Sequence, residues 1–189
     1  MRYLLMFVLC LPLLANAVEF NELTRSLPLG QNLQVFEDVG GQATVADIRA
    51  QAAAGKFKAH DKATLNAGYS RSVFWLKIDL HYRPSNPTAQ RTWLLELAYP
   101  PLDHLDLYLP DESGNYQLAR QTGDALPFSS REIRQNNYLF TLEFTPDQAK
   151  TLYLRLQSQG SIQAPVTLWS STAYLEDQPV RLYVLGLIY

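Results

Sequence analysis

The sequence predicts an all-β protein: an antiparallel jelly-roll β-sandwich with one short N-terminal helix and the start of a C-terminal transmembrane helix. Three observations carry this reading. Apolar residues recur with period two through several central segments, the spacing that sends alternate side chains to opposite faces of a strand. These segments are short and separated by turns rich in Gly, Pro, Asn and Asp, such as RPSNP and PDESGN. The long helices that parallel βαβ units require are missing between them.

Taken in order, residues 1–17 (MRYLLMFVLCLPLLANA) have a positive Arg2, an apolar stretch from Tyr3 to Leu14 and the small-x-small site Ala15-Asn16-Ala17. This pattern predicts a cleaved secretory signal peptide. Cys10 is the only cysteine and follows Leu9 rather than a small residue, so it does not suit lipid attachment. With Cys10 removed, the exported chain has no disulfide to rely on, which suits a bacterial periplasm.

The jelly-roll domain is expected over residues 18–175. It opens with a strand-like LQVFED, then a helix over GGQATVADIRAQAAAG, where Thr44 and Asp47 read as a capping box and Gly55 as the stop. In SVFWLKIDLHY, Phe74, Leu76, Ile78, Leu80 and Tyr82 point one way; Val73, Trp75, Lys77, Asp79 and His81 point the other. RTWLLELA, HLDLYL, YQLARQ, NYLFTLEF, TLYLRLQ and VTLW complete a count of about eight strands. Residues 176–189 are expected to be a juxtamembrane segment and a shortened first transmembrane helix. The apolar stretch from Val180 would cover about 15 Å, roughly half of a hydrocarbon core.

The formal charge of −2 gives no basic stripe, so nucleic acid is excluded as a partner. Enzyme motifs fare no better. No GxSxG elbow, phosphate-cradling glycine loop or HExxH is present, and His60, His81 and His104 are scattered. A carboxylate pair such as Glu96 with Asp106 is the kind that any sandwich offers by chance. The expectation is a protein that is not an enzyme and holds no metal or cofactor; Asp103, His104 and Asp106 are near in sequence but poorly spaced as metal ligands.

Binding residues are sought on the strand faces turned from the core. Trp75 and Lys77, Tyr153 and Arg155, and Trp169 interleave rings and cations there, the equipment for covering a ligand's apolar side and gripping its polar groups. The competing reading puts Trp75 and Trp169 under a loop or the N-terminal helix, with Arg155 paired to a carboxylate at the core edge. GDALPFSSREIR adds Arg131 and Arg134 on a loop, either for recognition or simply solvated.

Several segments together resemble a known family: LNAGYSRSVFWLKIDL, LLELAYPPLDHLDLYLP, GDALPFSSREI and YLRLQSQGSIQAPVTLW, in this order, with RLYVLGLIY at the end. They are similar to the type 2 extracellular domain of bacterial seven-transmembrane receptors with diverse intracellular signalling modules. Matching positions include Gly68, Trp75, Asp103, Gly123, Arg131, Tyr153, Arg155, Ser158 and Trp169; Lys77 departs from the arginine more usual there. The resemblance implies a periplasmic domain of an inner-membrane receptor, related in shape to carbohydrate-binding modules. It implies seven membrane helices and a cytoplasmic output, such as a diguanylate cyclase or histidine kinase, that this chain does not include.

Two function classes follow. The first is a sensor whose ligand is a glycan or another small polar molecule, stacked by Trp75, Tyr153 and Trp169 and fixed by Lys77, Arg131 and Arg155. The second is an interaction module, in which the same surface packs on a partner receptor or a second copy as a homodimer. In both, the C-terminal helix attaches the domain to the membrane.

Overall fold

A computed structural model describes residues 17–86 and 88–186, with side chains through residue 178. Residues 1–16 of the expected signal peptide and residues 187–189 lie outside the described residues.

The chain starts with β1 (Val18–Phe20), β2 (Ser26–Pro28) and β3 (Gln34–Asp38), followed by α1 (Val45–Ala53), β4 (Lys58–Ala59) and β5 (Leu65–Tyr69). The long β6 (Val73–Tyr82) leads to β7 (Thr92–Leu97), β8 (His104–Pro110), β9 (Tyr116–Thr122) and β10 (Tyr138–Glu143). Then come β11 (Gln148–Gln157), β12 (Ser161–Ala164), β13 (Val166–Ser170) and α2 (Ser171–Gly186).

Two sheets hold most of these strands. One runs β4-β3-β6-β11-β8-β9, with β1 added alongside β6; the other runs β10-β7-β13-β2; β12 and β5 form a short third pair. The chain alternates between the two large sheets, with β6, β8 and β11 in one and β7, β10 and β13 in the other. Their inner faces share one core. Leu76, Ile78, Leu107 and Leu154 from the first sheet join Trp93, Leu95, Phe140 and Leu168 from the second. Among them, Leu76 and Ile78 lie on the face that the period-two pattern of β6 sorts inward, because a strand with one buried face fixes its register through that face.

The structure departs from expectation in four respects. Thirteen strands are present among the described residues rather than about eight, because β1, β2, β4 and β12 are too short to show a period and β5, LNAGY, has Asn, Ala and Gly at its centre. One pairing is parallel, β1 beside β6. Among the described residues no helix is long and apolar enough to cross a membrane. The last helix also begins at Ser171 rather than after residue 175, and its Ala173 and Tyr174 are buried.

Both outer faces of the sandwich carry a helix. The capping box forms as read: Thr44 Oγ1 accepts from the Asp47 amide and Asp47 returns a bond to the Thr44 amide, while Gly55 follows in the left-handed region at φ +67°. These bonds hold the exposed Asp47 carboxyl below its usual range, the Thr44 side-chain bond first and the backbone bond second. So fixed, α1 lowers Ile48 onto Val73, Trp75 and Tyr153, a second cluster outside the first sheet. On the opposite side, Tyr174 of α2 packs with Leu94 and Leu139. This explains why β7 is buried on both faces and sets three large apolar residues, Trp93, Leu94 and Leu95, in succession.

Candidate functional site

The six residues predicted to bind ligand do not form one surface. Trp75 and Tyr153 do point away from the main core, but α1 and its flanking segments cover them. Trp75 is 1% exposed, its ring 5.3 Å from that of Tyr108. Tyr153 is buried against Phe57 and, at 5.1 Å between ring centres, Tyr116. The expectation of open stacking faces is therefore corrected for both rings: the sheet places them outward, and Ile48, Phe36, Phe57 and Tyr116 close over them.

Burial has a measurable consequence at Tyr153. Loss of hydration, followed by the neighbouring Tyr116 and Asp79, pushes its phenol up to about 12, against a smaller opposing pull from Arg49. The folded state therefore keeps a proton that the unfolded chain releases near pH 10. The contribution to stability is fully present below that pH and is lost as the pH rises through about 12. Ultraviolet titration should show Tyr153 among the last tyrosines to ionise, together with a falling denaturation midpoint; a Tyr153→Phe chain whose stability fell as steeply over the same interval would contradict this.

The remaining four are committed within the protein. Lys77 pairs with Asp79 two residues along the same strand. Arg155 lies between Trp75 and Asp106 in the strand register, with Nη1 3.5 Å from Asp106 Oδ2 and Nη2 donating to Gln157 Oε1 at 3.1 Å. Trp169 belongs to the other sheet, where its Nε1 donates to Glu96 Oε2 at 2.9 Å and its ring meets Tyr174 edge-on. Arg131 lies over the rings of Tyr138 and Phe128, 4.4 and 5.1 Å from their centres, and donates to the carbonyls of Gln135 and Asn136. Its work is to tie down the β9–β10 loop.

A different place converges. At the end of the first sheet, Arg71, Asp103, His104, Gln157, Ser158 and Gln159 line a cleft of about 480 Å³, within the range of small-molecule sites. The fold assembles it from three distant segments. Adjacent β11 and β8 set Gln157 opposite His104. Asp103 Oδ2 accepts the Gln159 backbone N–H at 2.7 Å, joining the entry of β8 to the exit of β11. Arg71 comes from the β5–β6 turn, where the Ser72 amide donates to Ser70 Oγ. Beneath Asp103 the chain is pressed against Gly123, and the Asp124 and Ala125 amides donate to the carbonyls of Leu102 and Asp103.

The electrostatics of the cleft are open at two points. Arg71 makes no hydrogen bond or ion pair with another described residue. Asp103 uses Oδ2 for Gln159 and leaves Oδ1 without a described partner. Arg155 stands two residues before Gln157 on β11 and donates to its Oε1. Asp106, 4% exposed, sits with it and has its Oδ1 unpartnered among the described residues. The grouping of Asp103, His104 and Asp106 weighed for a metal is thus divided, with Asp106 held behind the wall beside Arg155. Among the described residues no group of three or more His, Cys, Asp or Glu side chains could hold a metal ion.

A family model described as 7TMR-DISM extracellular 2 matches residues 30–170, well over half of the chain. The chain belongs to this family. No curated protein matches it. The 7TMR-DISM extracellular 2 match is to an extracellular, sensor-type domain of seven-transmembrane receptors, as the sequence resemblance implied. It takes in β3 through β13 and every residue of the cleft, and ends where α2 begins.

Arg71 and Gln159 are cleft residues that sequence reading missed. Arg71 lies in a turn without periodicity, and nothing local distinguishes it from any solvated arginine. Asp103 and His104 were visible as metal candidates, and Asp103 as a position that matches the family, but not as cleft residues, because their pairing with Gln159 and Gln157 is a product of the sheet.

Proposed function

We propose that this 7TMR-DISM extracellular 2 domain is the ligand-sensing part of an envelope receptor, located in the periplasm, and that it takes up a small polar solute in the Arg71–Asp103–Gln157 cleft. The observation that carries this reading is a guanidinium, on the lining of a roomy, polar cleft, with no hydrogen bond or ion pair to another described residue. Such an arginine fork is equipped to grip a carboxylate or paired hydroxyls. Gln157, Ser158 and Gln159 add donors and acceptors that fix orientation. A glycan would have the His104 imidazole as its one ring to lie against among the lining residues, so the polar groups bear the recognition.

Output would travel through the chain itself. The wall formed by Gln157–Gln159 continues through β12 and β13 directly into α2, so a ligand that alters the cleft wall has a short covalent route to the helix. Only a difference in affinity between two states of that route would produce a signal.

A calorimetric screen of small acids, amines, amino acids and sugars tests the reading. A solute that binds the unsubstituted chain should bind Arg71→Gln at least about tenfold more weakly, the loss of a charge-assisted bond, while the denaturation midpoint stays put. Equal affinity in both chains would remove the cleft from consideration.

A further inference from the structure

We infer that the solute is dipolar, a small molecule with a carboxylate and an ammonium group a few bonds apart, as in a free amino acid. This rests on the cleft being the binding site and goes further, to the charge pattern that the cleft selects. Its lining contains one arginine, Arg71, and one carboxylate, Asp103, beside the His104 ring and the polar Gln157, Ser158 and Gln159. The row behind is balanced as well, since Arg155 faces Asp106. A simple anion attracted by Arg71 would meet Asp103, and a simple cation the reverse, so a lining that sets a cation and an anion side by side is matched to neither alone.

Arg71 and Asp103 do not neutralise each other. They form no ion pair, each keeps donor or acceptor capacity unused, and both line the same cavity. A molecule with opposite charges at its two ends satisfies both at once, and the charged hydrogen bonds so formed are the strong ones. The open Oδ1 of Asp103 fits an ammonium N–H, and the Arg71 fork fits the carboxylate. Gln157, Ser158 and Gln159 are left for the side chain, which points to a polar amino acid rather than an apolar one.

The test is titration calorimetry of the purified chain with the twenty standard amino acids, with glucose and acetate for comparison. Any binder is then retried as its carboxamide and its N-acetyl form. At least one polar amino acid should bind, and capping either end should weaken it about tenfold or more. Arg71→Gln should erase the preference for free carboxylate over carboxamide. Asp103→Asn, which keeps an oxygen for the Gln159 N–H, should erase the preference for free ammonium over N-acetyl. The capped ligands decide the matter on the unsubstituted chain should either variant fail to fold. Binding of none of the amino acids at millimolar concentration overturns the dipolar class. So does binding of glucose or acetate that weakens in Arg71→Gln, although the cleft then stands. An amino acid that binds equally to both variants overturns the dipolar class and the cleft together.

Discussion

Replacing Gly123 by alanine will lower the unfolding free energy by about 2–4 kcal/mol, combining overpacking with an unfavourable backbone region. Gly123 has φ +148°, and a Cβ built on it would lie 1.9 Å from the carbonyl oxygen of Asp103 and 2.8 Å from the Cα of His104. These are backbone atoms, which cannot rotate aside as a side chain can. The strand entry at Asp103–His104 must therefore move, and two of the cleft's residues move with it. Stability and solute affinity should fall together, unlike in Arg71→Gln, where affinity alone falls. Urea denaturation gives the first quantity and calorimetry the second. An unchanged denaturation midpoint would show that the close approach of these two segments is not as described.

Trp75→Ala is the second large effect, a loss of about 3–5 kcal/mol. Its indole is in the cluster that joins α1 to the sheet, with Ile48 and Tyr153 buried beside it and Phe36 and Tyr108 packed against it. The substitution empties the volume of a large ring from a site where the surrounding helix and strands can relax only in part. Solute affinity of the folded fraction should be unchanged, because Trp75 is not among the residues that line the cleft. A stable Trp75→Ala chain with abolished binding would return the site to the strand face first read from the sequence.

How far the sequence speaks is clearest at β6. Alternation sorts Phe74, Leu76, Ile78, Leu80 and Tyr82 into the core and puts Trp75 and Lys77 on the far face, because the strand period is geometric and local. What lies over that far face is not local. Ile48 is the one buried residue of α1, set among alanines and polar residues, so no apolar stripe announces that the helix will cap a tryptophan. Sheet membership is equally hidden: β13 pairs with β7 and β2, so Trp169 ends up in a different sheet from Tyr153 and Arg155. The hydrogen bond from Gln159 to Asp103 crosses 56 positions of sequence, and no pattern in either segment points to the other. The fold class was thus written in the strands, whereas the cleft depends on which strand ends meet.

Amide chemical-shift mapping tests the location of the ligand most directly. With the tightest-binding solute added to isotopically labelled chain, perturbed amides should cluster at Arg71 and Ser72, at Asp103 and His104, and from Gln157 to Gly160, with weaker changes along β12 toward α2. Shifts centred instead on α1, Trp75 and Tyr153, or on Trp169 and Glu96, with the Arg71 and Gln159 amides unmoved, would contradict the cleft as the place where the solute binds.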